Sequence, residues 1–267
     1  MRLIESKDNA LFKRVQRLAH DKRELDGDDQ LIWLEGIHLC QMWLERRGLP
    51  ELAVFEMDRH SDELLELARF LPGHSSVTFN ATLMNAVSQV GQGQGIGFIV
   101  RVPRGQAWTV PTKRAILLDQ VQDPGNVGTV LRTAVAVGLE AVYLTPGCAS
   151  VWSQKVLRSA QGAHFSIQIH EQVDGMALLE KAALPVLVTS LGPDTQDLYE
   201  SSLPDQGIWV FGNEGQGVSP ALLAKARTKI RRWSAACPGA SRNSAYREWQ
   251  SLLDSLTIDQ LSQLLVA

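Results

Sequence analysis

Apolar residues along this chain alternate between short unbroken runs and runs with helical spacing, and the clearest example spans residues 115–146. Ala115-Ile116-Leu117-Leu118 is an uninterrupted apolar run ending at Asp119, which reads as a strand buried on both faces, as in parallel sheets. Asp123-Pro124-Gly125-Asn126 breaks it. Over 127–137 the residues Val127, Val130, Leu131, Ala134, Val135 and Val137 recur at helical spacing, and Gly138 stops the helix as a C-cap would. Residues 141–144 form the next strand. This is a βαβ unit, and open α/β sheets place their ligands in the loop at the carboxyl end of the first strand.

The same reading extends in both directions. In the first hundred residues it predicts helices over 9–21, 36–47 and 61–70, and strands over 31–34, 52–55, 76–79 and 97–100. Gly48-Leu49-Pro50 closes the second helix. After 146 it predicts a strand over 165–169, a helix over 176–183 and a buried strand over 185–190. The chain is therefore expected to be α/β in two domains, 1–103 and 113–267, joined by the Pro-punctuated linker 104–112. No internal repeat or low-complexity segment interrupts it.

Composition adds bounds. The 45% hydrophobic content supplies an ample core, and no apolar run approaches a membrane span. The opening MRLIESKDNALFKRVQ lacks an apolar signal region, so secretion is not expected. Cys40, Cys148 and Cys237 are scattered and without C-x-x-C spacing, which fits reduced thiols in a cytoplasmic protein and no metal site. Net charge is −3, yet positive charge is clustered: Lys7, Lys13, Arg14, Arg17, Lys22 and Arg23 near the first helix, and Lys225, Arg227, Lys229, Arg231 and Arg232 further on. By itself a charge run is usually a solvated face.

Candidate chemistry sits in the first βαβ loop. Asn126 could simply cap the helix, and Arg132 could simply be solvated. Against that, Arg132 stands among the small residues Thr133, Ala134 and Ala136, and a helix start beside a polar turn suits an anion. No G-x-G-x-x-G is present there, which disfavours a dehydrogenase-like nucleotide enzyme. The glycines of 89–97 (QVGQGQGIG) are not followed by Lys-Ser/Thr, which excludes a P-loop.

LDQVQDPGNVGTVLRTAVAVG (118–138) resembles the first motif of the SpoU–TrmH branch of the SPOUT methyltransferases, and IWVFGNEGQGVS (208–219) is similar to that family's strand followed by a G-N-E-G-x-G loop. The opening S-x-x-N-x-x-x-K (Ser6, Asn9, Lys13) and Glu35-Gly36 after a strand resemble the ribosomal-protein-like RNA-binding domain that precedes many such enzymes. The helix at 153–163, with Lys155 and Arg158 spaced to share one face, looks like the family's conserved helix.

The resemblance implies methyl transfer from S-adenosyl-L-methionine to a ribose 2′-hydroxyl in structured RNA, with large-subunit ribosomal RNA the expected substrate. It implies a parallel-sheet domain carrying a C-terminal trefoil knot and a homodimer formed through that domain. Arg132 would assist at the hydroxyl, with Asn126 and Glu214 positioning it. Leu191, Gly192, Phe211, Gly212, Asn213, Gly215, Gly217, Ile230, Ser241 and Asn243 would surround the cofactor. Lys13, Arg14, Arg17, Lys155 and Arg158 would contact RNA. No metal is expected.

The resemblance lapses beyond about residue 230, where the family carries an apolar strand and an S-L-N turn. Arg231-Arg232 stands in place of that strand and Arg242 in place of the leucine. Read one base earlier, one codon set for 246–251 encodes Ile-Ser-Gly-Met-Ala-Val, closer to the family. Two readings of 231–267 stand: a frame-shifted end, with an amphipathic helix over 257–266, or a variant third motif that keeps Ser241 and Asn243. The first would make the chain a catalytically impaired RNA-binding remnant; a tRNA ribose methyltransferase is a further alternative.

Overall fold

The structure is a computed structural model that describes residues 1–89, 93–105, 107–190, 194–198 and 201–231. The expectations for Leu191, Gly192, Ser241, Asn243, the knot and a helix over 257–266 lie outside the described residues. Elements in residues 1–104 run β1 (Arg2–Ile4), α1 (Ala10–Ala19), β2 (Glu24–Asp26), β3 (Asp29–Glu35), α2 (Ile37–Arg46), β4 (Leu52–Glu56), α3 (Asp62–Arg69), β5 (Ser76–Phe79), α4 (Ala81–Val87) and β6 (Ile96–Pro103). The remainder runs β7 (Ala115–Asp119), α5 (Pro124–Ala136), β8 (Ala141–Leu144), α6 (Gln154–Ala160), β9 (Gln168–His170), α7 (Gly175–Lys181), β10 (Val186–Thr189), β11 (Gln196–Asp197), β12 (Ile208–Gly212), α8 (Pro220–Leu223) and β13 (Thr228–Arg231).

The chain divides into two compact units. The first comprises Met1–Arg104 together with Trp152–Phe165. Its mixed six-stranded sheet has the order β1-β5-β4-β6-β3-β2. Helix starts are capped as the composition leads one to expect: Asn9, Ser61 and Asn80 each accept a backbone N–H from the following turn. Phe12, Val15 and Leu18 of α1 pack with Trp33, Phe79, Leu83 and Met84 in one core.

Residues 152–165, placed by sequence pattern within the second domain, pack with this first unit. Gln154, 4% exposed, donates from Nε2 to the Trp33 carbonyl at 2.7 Å and from its backbone N–H to Asp21 at 2.9 Å. The Trp43 and Phe165 rings meet edge to face at 5.4 Å. That packing also corrects the strand expected over 165–169. Ala163–Phe165 is a 3₁₀ turn, and the strand begins only at Gln168.

The second unit, 105–151 with 166–267, holds an all-parallel seven-stranded sheet of order β11-β13-β10-β12-β7-β8-β9. Strands β7 and β8 are buried along their whole length, which explains their unbroken apolar runs. None of the described residues of the expected linker, 104–112, is in a helix or strand, but its flanks and parts of it are packed. Strand β6 runs to Pro103, and Arg101 pairs with Asp26 and, at 3.0 Å, with Glu51. Further on, Trp108 packs on the second core under Lys181 Nζ at 5.0 Å, and the Thr109 carbonyl accepts the Tyr143 hydroxyl at 2.8 Å. No helix among the described residues is long and apolar enough to cross a membrane.

Gly97 in β6 is required by contact. A Cβ there would lie 2.0 Å from Cζ2 of the fully buried Trp33 ring. Gly97→Ala should destabilise the first unit by about 1–3 kcal/mol, the usual cost of overpacking a core. Urea unfolding checks this; an unchanged midpoint would contradict the packing described.

Candidate functional site

The site grows from the carboxyl ends of β7 and β12, which are paired in register so that Gly212 faces Asp119. Beyond β7 the chain turns through Gln120, which adopts a left-handed φ of 56°, and enters α5 at Pro124. The helix thus starts a turn earlier than its apolar spacing suggests. Its N-cap is Asp123, whose carboxylate accepts the Asn126 N–H at 3.0 Å. Proline is favoured at the first helical position because its missing N–H would have no partner there. With Asp123 as cap, the Asn126 side chain is released from capping.

Asn126, 5% exposed, donates instead from Nδ2 to Glu214 Oε1 at 3.0 Å. The same carboxylate accepts the N–H of Asp123 at 3.0 Å and of Gln122 at 3.2 Å. Burial pushes the Glu214 carboxyl upward, but the amide of Asn126 and the backbone N–H groups of Asp123, Glu214 and Gln122 outweigh it, leaving the group below its ordinary value. The positive end of α5 acts in the same direction.

The neighbouring Asn213 fastens the loop a second time. Its Nδ2 donates to the Gln120 carbonyl at 2.9 Å, while its Oδ1 accepts the N–H groups of Gly215 and Gln216 at 2.9 and 3.0 Å. Asn213 and Gly217 exchange backbone hydrogen bonds at 3.0 and 2.8 Å. A Cβ on Gly212 would lie 2.1 Å from the Gly217 carbonyl carbon, and Gly217 holds a φ of 75°. Both glycines are therefore demanded by the loop itself. Gly215 is different: its Cβ would meet Asn213 Oδ1 at an ordinary 3.5 Å. On the far side, Asp119 accepts the Ser219 N–H at 2.7 Å and the Thr145 hydroxyl at 3.3 Å.

The structure thus brings Asn126, Glu214, Asn213, Gly212, Gly215 and Gly217 together. Arg132 is exposed further along α5 and Phe211 is half-buried on β12, its ring 6.3 Å from that of Trp209. Ile230 is fully buried in β13, and its carbonyl accepts the Ser190 N–H at 3.0 Å. In the first unit Arg14 is held by Glu24 through two bonds of 2.8 and 2.6 Å and Lys13 reaches Asp8 at 3.0 Å, whereas Arg17 is exposed. Lys155 is exposed; Arg158 is half-buried, with Nη1 lacking a hydrogen-bond partner among the described residues. Sequence reasoning missed Asp119, Thr145 and Ser219. The acid ending an otherwise apolar strand was the one available signal.

A parallel sheet whose ligand edge carries this doubly fastened glycine loop, without a dinucleotide fingerprint, defines an α/β protein with its ligand site at the carboxyl ends of its strands. The model of the SpoU rRNA Methylase family matches residues 113–231. The 23S rRNA (guanosine(2553)-2′-O)-methyltransferase RlmP of Bacillus subtilis is 32% identical over 236 residues, covering 84% of this chain and 88% of that protein. The chain belongs to the SpoU rRNA methylase family. An RNA methyltransferase of the TrmH family from Porphyromonas gingivalis superposes with a TM-score of 0.69 at 25% identity, over 91% of this chain and 98% of its own. An AdoMet-bound rRNA methyltransferase from Sinorhizobium meliloti shares the fold, with a TM-score of 0.73 at 19% identity over 96% of this chain and 99% of that one.

Because the Glu214 carboxyl sits below its ordinary value, its contribution to stability is present above the unfolded-state value and is lost as pH falls through the folded-state value. Glu214→Gln places an amide where three donors converge and should lower the urea midpoint at neutral pH. The gap from wild type should narrow on acidification through the folded-state value, which lies below the ordinary carboxylate range, as the wild-type carboxylate takes up its proton. A gap unchanged by acidification would show that the charge is not what the loop uses.

Proposed function

We propose that this chain transfers the methyl group of S-adenosyl-L-methionine to a ribose 2′-hydroxyl of ribosomal RNA. The observation that carries the reading is the Asn126–Glu214 bond, which joins the family's first and second motifs at the ligand edge of a parallel sheet. The described residues fit the cofactor: the Gly215–Gly217 backbone is exposed there, a Cβ at Gly217 would meet nothing within 4 Å, and Gly215 has no internal need to be small. When bound, the cofactor supplies an electrophilic methyl group on a sulfonium. In this reading the 212–217 loop, Phe211 and Ile230 hold it, with Leu191, Gly192, Ser241 and Asn243 completing the pocket. The relative from Bacillus subtilis, named for 23S rRNA, supports a large-subunit substrate.

A ribose hydroxyl is a poor nucleophile, so its proton must leave as the methyl group arrives and the two must be held in line. In this reading Arg132 acts at that hydroxyl. An arginine side chain is a poor base, so its part is to stabilise the developing oxyanion while the proton passes to a phosphate or water. Asn126 and Glu214 fix the first turn of the helix that carries it. On the RNA side, Arg17, Lys13 and Lys155 offer exposed charge to phosphates. Arg158 can add to them, and Arg14, tied to Glu24, shapes the surface more than it contacts RNA. A homodimer through the second domain and the trefoil knot belong to the same reading, on the strength of the family resemblance.

Arg132→Ala should lower the rate of labelled-methyl incorporation into ribosomal RNA by about 10²–10³-fold, the usual cost of losing a group that stabilises an oxyanion. Calorimetry should find cofactor affinity unchanged. Wild-type turnover in the variant would remove Arg132 from the site. A native chain that binds RNA yet incorporates no methyl group would mark an RNA-binding remnant.

A further inference from the structure

We propose that Asp119, which the chemistry above does not use, is a positioning residue for cofactor binding, fixing the return limb of the loop between β12 and α8. The proposal rests on reading that loop as the one that holds S-adenosyl-L-methionine. Asp119 ends β7 after four apolar residues and is 3% exposed. A carboxylate so buried is costly unless donors meet it, and an apolar residue at such a place generally serves folding at least as well. Its oxygens take one donor each: the Ser219 N–H at 2.7 Å on Oδ2 and the Thr145 hydroxyl at 3.3 Å on Oδ1. Thr145 in turn accepts the N–H of Gln120, the left-handed residue that opens the turn into α5.

The geometry shows what those bonds control. From Gly212, opposite Asp119 in register, the chain leaves the sheet, reverses through Asn213–Gly217 and comes back to Ser219. The outward limb is fastened by Asn213 and Glu214. On the return limb Val218 packs into the core, and Asp119 takes the next N–H. Outward and return limbs are thus both referred to the carboxyl end of one strand, β7, and the exposed Gly215–Gly217 backbone is stretched between them. Loss of the Asp119 bond would leave the reacting groups alone and loosen only the surface against which the cofactor lies. Asp119 should therefore act on cofactor KM and not on the rate at saturation.

The test measures cofactor KM and kcat with saturating ribosomal RNA for wild type, Asp119→Ala, Asp119→Asn and Thr145→Val, with thermal melts of each. Asp119→Ala should raise KM by about tenfold, as expected for one lost charge-assisted hydrogen bond, with kcat little changed. Asp119→Asn should restore most of the affinity, because its carbonyl still accepts the Ser219 N–H and its amide can donate to Thr145. If Asp119→Ala does not fold, Thr145→Val, which removes the second donor to Asp119 together with the acceptor of the Gln120 N–H, should still raise KM by a few-fold. A wild-type KM in a folded Asp119→Ala or Thr145→Val variant overturns the proposal, as does a loss confined to kcat. A wild-type chain that transfers no methyl group at any cofactor concentration overturns the methyltransferase reading instead.

Discussion

A single half-buried carboxylate, that of Glu214, ties together two stretches of chain 88 to 92 residues apart. Partial burial would ordinarily favour its neutral form. Three donors from the start of α5 reverse that preference, and the ionised group becomes the acceptor that the helix start lacks. The consequence is mechanical. The glycine loop beyond β12 and the first turn of α5 are held as one piece, so a residue further along that helix, Arg132, has a fixed relation to the loop.

The remaining parts of the site divide the work in a way that residue types alone would not reveal. Of three glycines in the second motif, Gly212 is small because the Gly217–Val218 backbone crosses it, and Gly217 because its backbone is left-handed. Gly215 alone is small without an internal reason, and it is exposed at the ligand edge. Asn213 spends both ends of its amide on the loop and the turn it faces. The loop is thus built to keep its shape through side chains that point inward, leaving backbone to meet the ligand.

Much of this was legible in the sequence where the signal is local. The unbroken run 115–118, the period over 127–137 and the glycine stop at 138 predicted the β7–α5–β8 unit, because burial on two faces and helical packing each leave a short-range pattern. What depends on distant partners was not. The Asp123-Pro124 pair outcompetes Asn126 for the cap, shifting the helix start and freeing Asn126 for Glu214. Residues 152–165 join the first unit through Gln154, whose partner Trp33 lies 121 positions away. The donor to Asp119 from Ser219 lies 100 positions on, so no window of sequence could show that the acid is anchored. Arg14, counted among free positive charges, finds Glu24 only once β2 has folded beside α1. Strands of three residues, such as β1 and β2, are too short to carry a period at all.

The two loops are locked together by the chain itself, before any ligand arrives. Amide hydrogen exchange at Gln122 and Asp123 in the cofactor-free protein tests it most directly, since both N–H groups lie outside the helix ladder and donate to Glu214. Slow exchange is expected at both positions, lost when Glu214 is replaced by Gln. Exchange at the rate of an open loop in the wild type, with protection gained only on adding S-adenosyl-L-methionine, would contradict it.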